Sequence, residues 1–212
     1  MTVFERLGSH GVLPVVELDR AADAVPLGEA LAAGGLPCLE ITFRTDAAVA
    51  AVERLRRALP ELLVAAGTVR TVDEARRAAD AGAHVVVSPG LDRSVVAWCL
   101  DRGLPVLPGV QTPTEVMAAT ALGLDVLKFF PARIAGGPDA VAALAGPFPT
   151  VRFVPTGGIG SADLGAYLRL PTVIACGGTW LADRAAIADG DFGRVTRLAA
   201  DAAATVADVR RT

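Results

Sequence analysis

Three observations predict an α/β fold of the (β/α)8 TIM-barrel kind, as one domain over residues 1–212. Short apolar runs alternate with alanine-rich stretches whose apolar residues recur at three and four spacing, the pattern of successive βα units feeding a parallel sheet. Eight such runs follow one another with no linker-like tract between them. The turn after the first run lacks the glycine-rich fingerprint that a doubly wound sheet would need. At 212 residues the chain lies near the lower limit for such a barrel, so short loops and no added domain are expected.

Residues 1–10 read as a short helix closing the barrel floor. The strand-like runs are 12–18, 38–43, 62–69, 84–88, 105–110, 126–130, 152–156 and 173–176. Between the first two, Leu27, Ala30, Leu31 and Gly34 share a helical face; after the second, Val49, Val52, Leu55 and Leu59 do. Helix starts are marked by a capping residue with acid in the first turn at Thr45-Asp46, Thr71-Val72-Asp73-Glu74, Thr112-Pro113-Thr114-Glu115 and Ser161-Ala162-Asp163. Glycines at Gly34-Gly35, Gly82, Gly103 and Gly123 mark helix ends, and residues 191–209 read as a closing helix.

Composition narrows the function. Apolar residues make up 52% of the chain, charged residues 20%, and the net charge is -3. The arginines are scattered among acids with no basic block longer than two, which speaks against a nucleic-acid partner. No apolar run approaches the ~18 residues of a membrane span, and the first residues lack the regions of a signal peptide, so a cytoplasmic protein without a membrane partner is expected. Cys38, Cys99 and Cys176 form no CxxC pair and read as small core residues. His10 and His84 belong to no ligand spacing, so no metal site is expected.

Arginine outnumbers lysine nineteen to one, and the single lysine, Lys128, stands in the apolar run Val126-Leu127-Lys128-Phe129-Phe130-Pro131. A guanidinium stays protonated, whereas a desolvated amine can attack a carbonyl. Lys128 is either that nucleophile or a structural cation, snorkelling or paired with Glu40 or Asp125. In (β/α)8 barrels chemistry sits where the strands end. There, strand alternation puts Glu40 and Thr42 on one side, with Arg44 just beyond. Glu40 is a working carboxylate or half of an ion pair with Lys128 or Arg44; Arg44 is a site cation or a surface cap. Thr68 has a hydroxyl for a ligand or for local backbone. Gly157-Gly158 and Gly177-Gly178 are a phosphate cradle in the quarter of the barrel that often holds one, or two tight turns.

Taken together, Leu39-Glu40-Ile41-Thr42-Phe43-Arg44-Thr45, Gly67-Thr68-Val69, Ser88-Pro89-Gly90, Lys128-Phe129-Phe130-Pro131-Ala132, Pro155-Thr156-Gly157-Gly158-Ile159 and Gly177-Gly178-Thr179-Trp180 resemble the family of 2-keto-3-deoxy-6-phosphogluconate aldolase, also active as 4-hydroxy-2-oxoglutarate aldolase. The likeness runs over nearly the whole chain. It implies Lys128 as the Schiff-base lysine, Glu40 as general acid/base, and Arg44 with Thr68 as holders of the pyruvate carboxylate. It further implies that Phe130, Pro89 and Pro108 line the pocket, and that Gly157, Gly158, Gly178 and Thr179 bind phosphate. Thr179 stands where the best-known members have serine, keeping the hydroxyl but adding a methyl. A homotrimer and an Entner-Doudoroff lyase that needs no cofactor are also implied. The substrates would be a 2-keto-3-deoxy sugar acid phosphate and pyruvate. Competing readings are a phosphogalactonate aldolase, an imine-free phosphosugar isomerase that uses Lys128 as a clamp, and a non-catalytic phosphosugar-binding protein.

Overall fold

The computed structural model describes residues 1–211; Thr212, which the expected domain includes, lies outside them. Helix α1 (Val3–His10) leads into β1 (Val12–Val16), and a short 3-10 turn (Ala21–Asp23) enters α2 (Ala24–Ala33). Then come β2 (Cys38–Thr42), α3 (Ala48–Ala58), β3 (Leu63–Gly67), α4 (Val72–Asp80), β4 (Val85–Val87), α5 (Arg93–Leu100), β5 (Val106–Leu107) and β6 (Gly109–Val110). The chain finishes with α6 (Pro113–Thr120), β7 (Val126–Phe129), α7 (Gly137–Ala145), β8 (Arg152–Pro155), α8 (Leu164–Leu168), β9 (Cys176–Gly178), α9 (Arg184–Ala188) and α10 (Phe192–Arg211).

All strand pairs are parallel. They make a six-stranded sheet in the order β5-β4-β3-β2-β1-β9 and a three-stranded sheet β6-β7-β8. Isolated bridges, Phe153 to Val173 and Thr156 to Gly177, tie the β8 edge to the β9 edge. The fold is therefore α/β with a parallel half-barrel sheet continued by a second, smaller one.

Two strand expectations need correction. The run 105–110 is two strands, divided at Pro108: β5 pairs with β4, β6 with β7. Proline has no N–H to donate, so the ladder breaks there and the chain changes partner. The last strand is not 173–176 but Cys176–Gly178, with Val173 reduced to a single bridge. The Gly177-Gly178 pair, read as loop, lies buried in β9 and pairs with Leu13 and Pro14. Glycine is needed at Gly177 because a Cβ there would overlap the Thr156 side chain.

Helix starts are mixed. Thr71 accepts from the Glu74 N–H, and Thr112 with Glu115 forms a capping box. Thr45 instead donates its hydroxyl to the Leu18 carbonyl at 2.6 Å, so α3 begins later without a side-chain cap. Asp163 is the N-cap of α8, but its carboxylate accepts from Gly160 rather than from the helix. The residues 1–10 and 191–209 expected as helices are α1 and α10, the latter reaching Arg211.

Strand alternation sorts the core. Val12, Val16, Leu39, Ile41, Val64, Ala66 and Val86 face the helices. Leu13, Cys38, Leu63, Ala65, Val85, Val87, Leu107, Val126 and Val154 form a separate inner cluster, closed at the strand starts by Leu7 of α1. The inner rows continue toward the strand ends, and there they stop being apolar.

Candidate active site

Two residues beyond Cys38 on the inner row of β2 stands Glu40; two beyond Val126 on β7 stands Lys128. Cross-strand register places Val15 and Ala65 beside Glu40, and Gly109 and Val154 beside Lys128. Their side chains are 2% and 7% exposed, and Lys128 Nζ lies 3.7 Å from Glu40 Oε1. That is ion-pair range and too long for a hydrogen bond. Burying such a pair is costly, and strand packing alone would be served as well by apolar residues of similar size. Lys128 Nζ also lies 5.1 Å from the centre of the Phe130 ring, so an aromatic face stands over the amine.

The pocket around the pair is lined by Glu40, Arg44, Thr68, Pro89, Lys128, Phe130, Gly157, Gly158, Gly178 and Thr179, all expected from the sequence. Pro108 is the exception. It is buried at the strand break, off the pocket wall, and its carbonyl accepts the Lys128 backbone N–H at 2.9 Å. Gly177, from the expected Gly177-Gly178 cradle, also lines it, while Val15, Thr156 and Ile159 complete the lining and escape the sequence reading. Thr156 was legible: it is two residues beyond inward Val154 on β8, and alternation alone points it inward.

Several local features hold this arrangement. A Cβ on Gly67 would overlap the Glu40 carboxylate, so glycine makes the room that Glu40 occupies. Thr68 has φ 60, the one positive-φ non-glycine among the described residues. A β-branched residue there is strained, and strain of this kind collects at functional sites. Gly157, at φ 102, leaves space for the Phe130 ring, since a Cβ would come within 3.2 Å of it. The buried Thr42 hydroxyl has no hydrogen-bond partner among the described residues.

Arg44 does not pair with Glu40. It is 53% exposed at the pocket rim, and its Nη1 donates to Glu17 Oε2 at 3.3 Å. Among the described residues no group of three histidine, cysteine, aspartate or glutamate side chains is gathered to hold a metal ion. No helix among them is long and apolar enough to cross a membrane. A buried amine beside a buried carboxylate, with cationic and hydroxyl groups at the rim, suits covalent chemistry on a carbonyl of an anionic substrate.

Comparison with known proteins agrees with this chemistry. A 2-dehydro-3-deoxy-phosphogluconate aldolase of Treponema pallidum (strain Nichols) is 48% identical over 198 residues, covering 93% of this chain and 94% of that one. A KDPG aldolase of Legionella pneumophila, solved with pyruvate captured at low pH as a covalent carbinolamine intermediate, superposes with a TM-score of 0.91 at 38% identity, over 94% of this chain and 97% of that one. The Zymomonas mobilis ZM4 2-keto-3-deoxy-6-phosphogluconate aldolase, solved with 3-phosphoglycerate, gives 0.88 at 37%, over 95% of each. The family model for KDPG and KHG aldolase matches residues 3–198, and the chain belongs to that family.

Proposed function

We infer that the protein is a class I aldolase, a carbon-carbon lyase that cleaves 2-keto-3-deoxy-6-phosphogluconate to pyruvate and glyceraldehyde 3-phosphate. The observation that carries this reading is the chain's only lysine, buried 3.7 Å from a buried carboxylate at the foot of the pocket. The unprotonated Lys128 amine attacks the C2 ketone, and the carbinolamine loses water to give an iminium. Glu40, directly or through a water, moves the protons of both steps. Glu40 then takes the C4 hydroxyl proton, the C3–C4 bond breaks, and its electron pair flows into the iminium to leave an enamine and the aldehyde. Protonation at C3 and hydrolysis release pyruvate and free Lys128.

Arg44 and Thr68 hold the substrate carboxylate, Phe130 and Pro89 wall the reacting carbons, and Pro108 positions the Lys128 strand from behind. Gly157, Gly158, Gly178 and Thr179 receive the phosphate. The family match and the lining of the pocket support these roles. The same site serves 4-hydroxy-2-oxoglutarate, released as pyruvate and glyoxylate. The two sheets make one closed (β/α)8 domain over residues 1–212, a reading supported by the bridges between β8 and β9 and by the continuity of the chain through Pro108. It assembles as a homotrimer, as the resemblance implies, and works in the cytoplasm, as the composition leads one to expect.

The test is pyruvate release from 2-keto-3-deoxy-6-phosphogluconate and from its phosphogalactonate epimer. Turnover of the first at a kcat/KM at least about tenfold higher is expected, a difference of ~1.4 kcal/mol in transition-state binding. A preference for the epimer moves the assignment to the galactonate enzyme, and turnover of neither, nor of 4-hydroxy-2-oxoglutarate, removes the aldolase reading.

A further inference from the structure

The Arg44 guanidinium is long, half in solvent, and among the described residues its only hydrogen-bond partner is Glu17. Glu17 follows the end of β1 and does not line the pocket that Arg44 lines. Its side chain is 21% exposed, and its two oxygens are divided between two arginines. Oε2 takes Arg44 Nη1 at 3.3 Å, and Oε1 takes Arg184 Nη1 at 2.6 Å. Arg184, the first residue of α9, is in turn fixed by both oxygens of Asp19, at 2.6 and 2.8 Å. The carboxylate that grips Arg44 is thus itself anchored from the other side.

We propose that Glu17 is a positioning residue that pre-orders the Arg44 guanidinium for the substrate carboxylate. The inference rests on the reading of Arg44 as the carboxylate-binding cation. Only Nη1 of Arg44 is engaged, so the remaining N–H groups are left to meet a carboxylate. An arginine already held in one rotamer loses less freedom on binding than a freely moving one. Coulomb's law alone gives the opposite sign: removing Glu17 makes the rim more positive and should tighten anion binding. The pair is exposed to solvent, where such attraction is screened while geometric ordering is not. The two effects can therefore be told apart by the direction in which KM moves.

The experiment measures KM and kcat for 2-keto-3-deoxy-6-phosphogluconate in Glu17→Ala, Glu17→Gln, Arg44→Ala and the Glu17→Ala/Arg44→Ala double variant, with thermal unfolding of each. Glu17→Ala is expected to raise KM about fivefold, ~1 kcal/mol, with kcat held within about twofold. Glu17→Gln, which keeps one acceptor, should recover part of that loss. In the Arg44→Ala background the Glu17 change should add nothing. An unchanged or lowered KM in Glu17→Ala, while Arg44→Ala raises it, overturns the positioning role and leaves the role of Arg44 standing. An unchanged KM in Arg44→Ala overturns both.

Discussion

Lys128 and Glu40 reach each other because each lies two residues along an inner row from an apolar residue, Val126 and Cys38, that anchors its strand. The row must make room for them, and Gly67 does so. Gly67→Ala should therefore displace the Glu40 carboxylate and lower kcat by about 10²-fold, the cost of an error near 1 Å in a reacting group, with the circular dichroism spectrum unchanged. A variant with full activity would show that Glu40 tolerates the displacement and has no fixed catalytic position. Thr179 is exposed at the rim, as a group that meets the far end of a substrate should be. Thr179→Ala is expected to raise KM for the phosphorylated substrate about tenfold, ~1.5 kcal/mol for one hydrogen bond to a charged group. Its KM for 4-hydroxy-2-oxoglutarate should stay the same; equal losses would take Thr179 out of phosphate binding. Most of this site was legible as residue types in apolar settings at strand ends. The Glu17 grip on Arg44 was not, because it joins residues 27 apart in sequence through side chains alone.

Elements differ in how plainly their limits are written. Thr71 and Thr112 stand before acids in a first turn and cap as expected, whereas Thr45 is drawn to the Leu18 carbonyl by a neighbour that no local pattern reveals. The helix starts at Thr2, Asp92 and Asp183 carry side-chain caps; Thr2 with Glu5 held the same signal, whereas Asp92 and Asp183 cap with no acid in the first turn. Thr112→Ala removes the acceptor for the Glu115 N–H and is expected to cost about 1 kcal/mol, read from the urea midpoint. A change too small to resolve would mean that α6 does not depend on its capping box. Helix α1 closes the inner cluster with Leu7, which is buried in the same cluster as Leu13 and Leu63. Leu7→Ala should lower stability by ~2–5 kcal/mol while leaving the KM of folded enzyme unchanged. A loss well below that range would show that α1 is not part of the cooperative core.

At the scale of the molecule, the alternation of strand and helix was readable throughout, but not the point at which the ladder changes partner. Pro108 reads as an ordinary strand residue until β4 and β7 stand on either side of it. Burial also sets the response to pH. His84 and His10 are held below the ordinary histidine range first by desolvation, then by nearby arginine charges, and His84 Nδ1 accepts the Val64 N–H at 3.1 Å. Their stabilising contribution is complete above the unfolded value of ~6.5 and is lost as pH falls through it, because the unfolded chain binds protons that the fold excludes. The urea midpoint should therefore drop between about pH 7.5 and 5.5, and drop less in His84→Gln; an identical profile would clear His84 of the effect. All three cysteines are buried, with the Cys38 thiol pushed up to about 12, Cys99 up to about 11, and Cys176 raised further by the same cause. The proposed chemistry then rests on one amine. Incubation with pyruvate and borohydride, followed by intact mass spectrometry and peptide mapping, should give a single reduced pyruvate adduct on Lys128 and none in folded Lys128→Ala. An unmodified Lys128 in folded protein, once peptide mapping has set aside any label on the N-terminal amine, would contradict imine catalysis at this lysine.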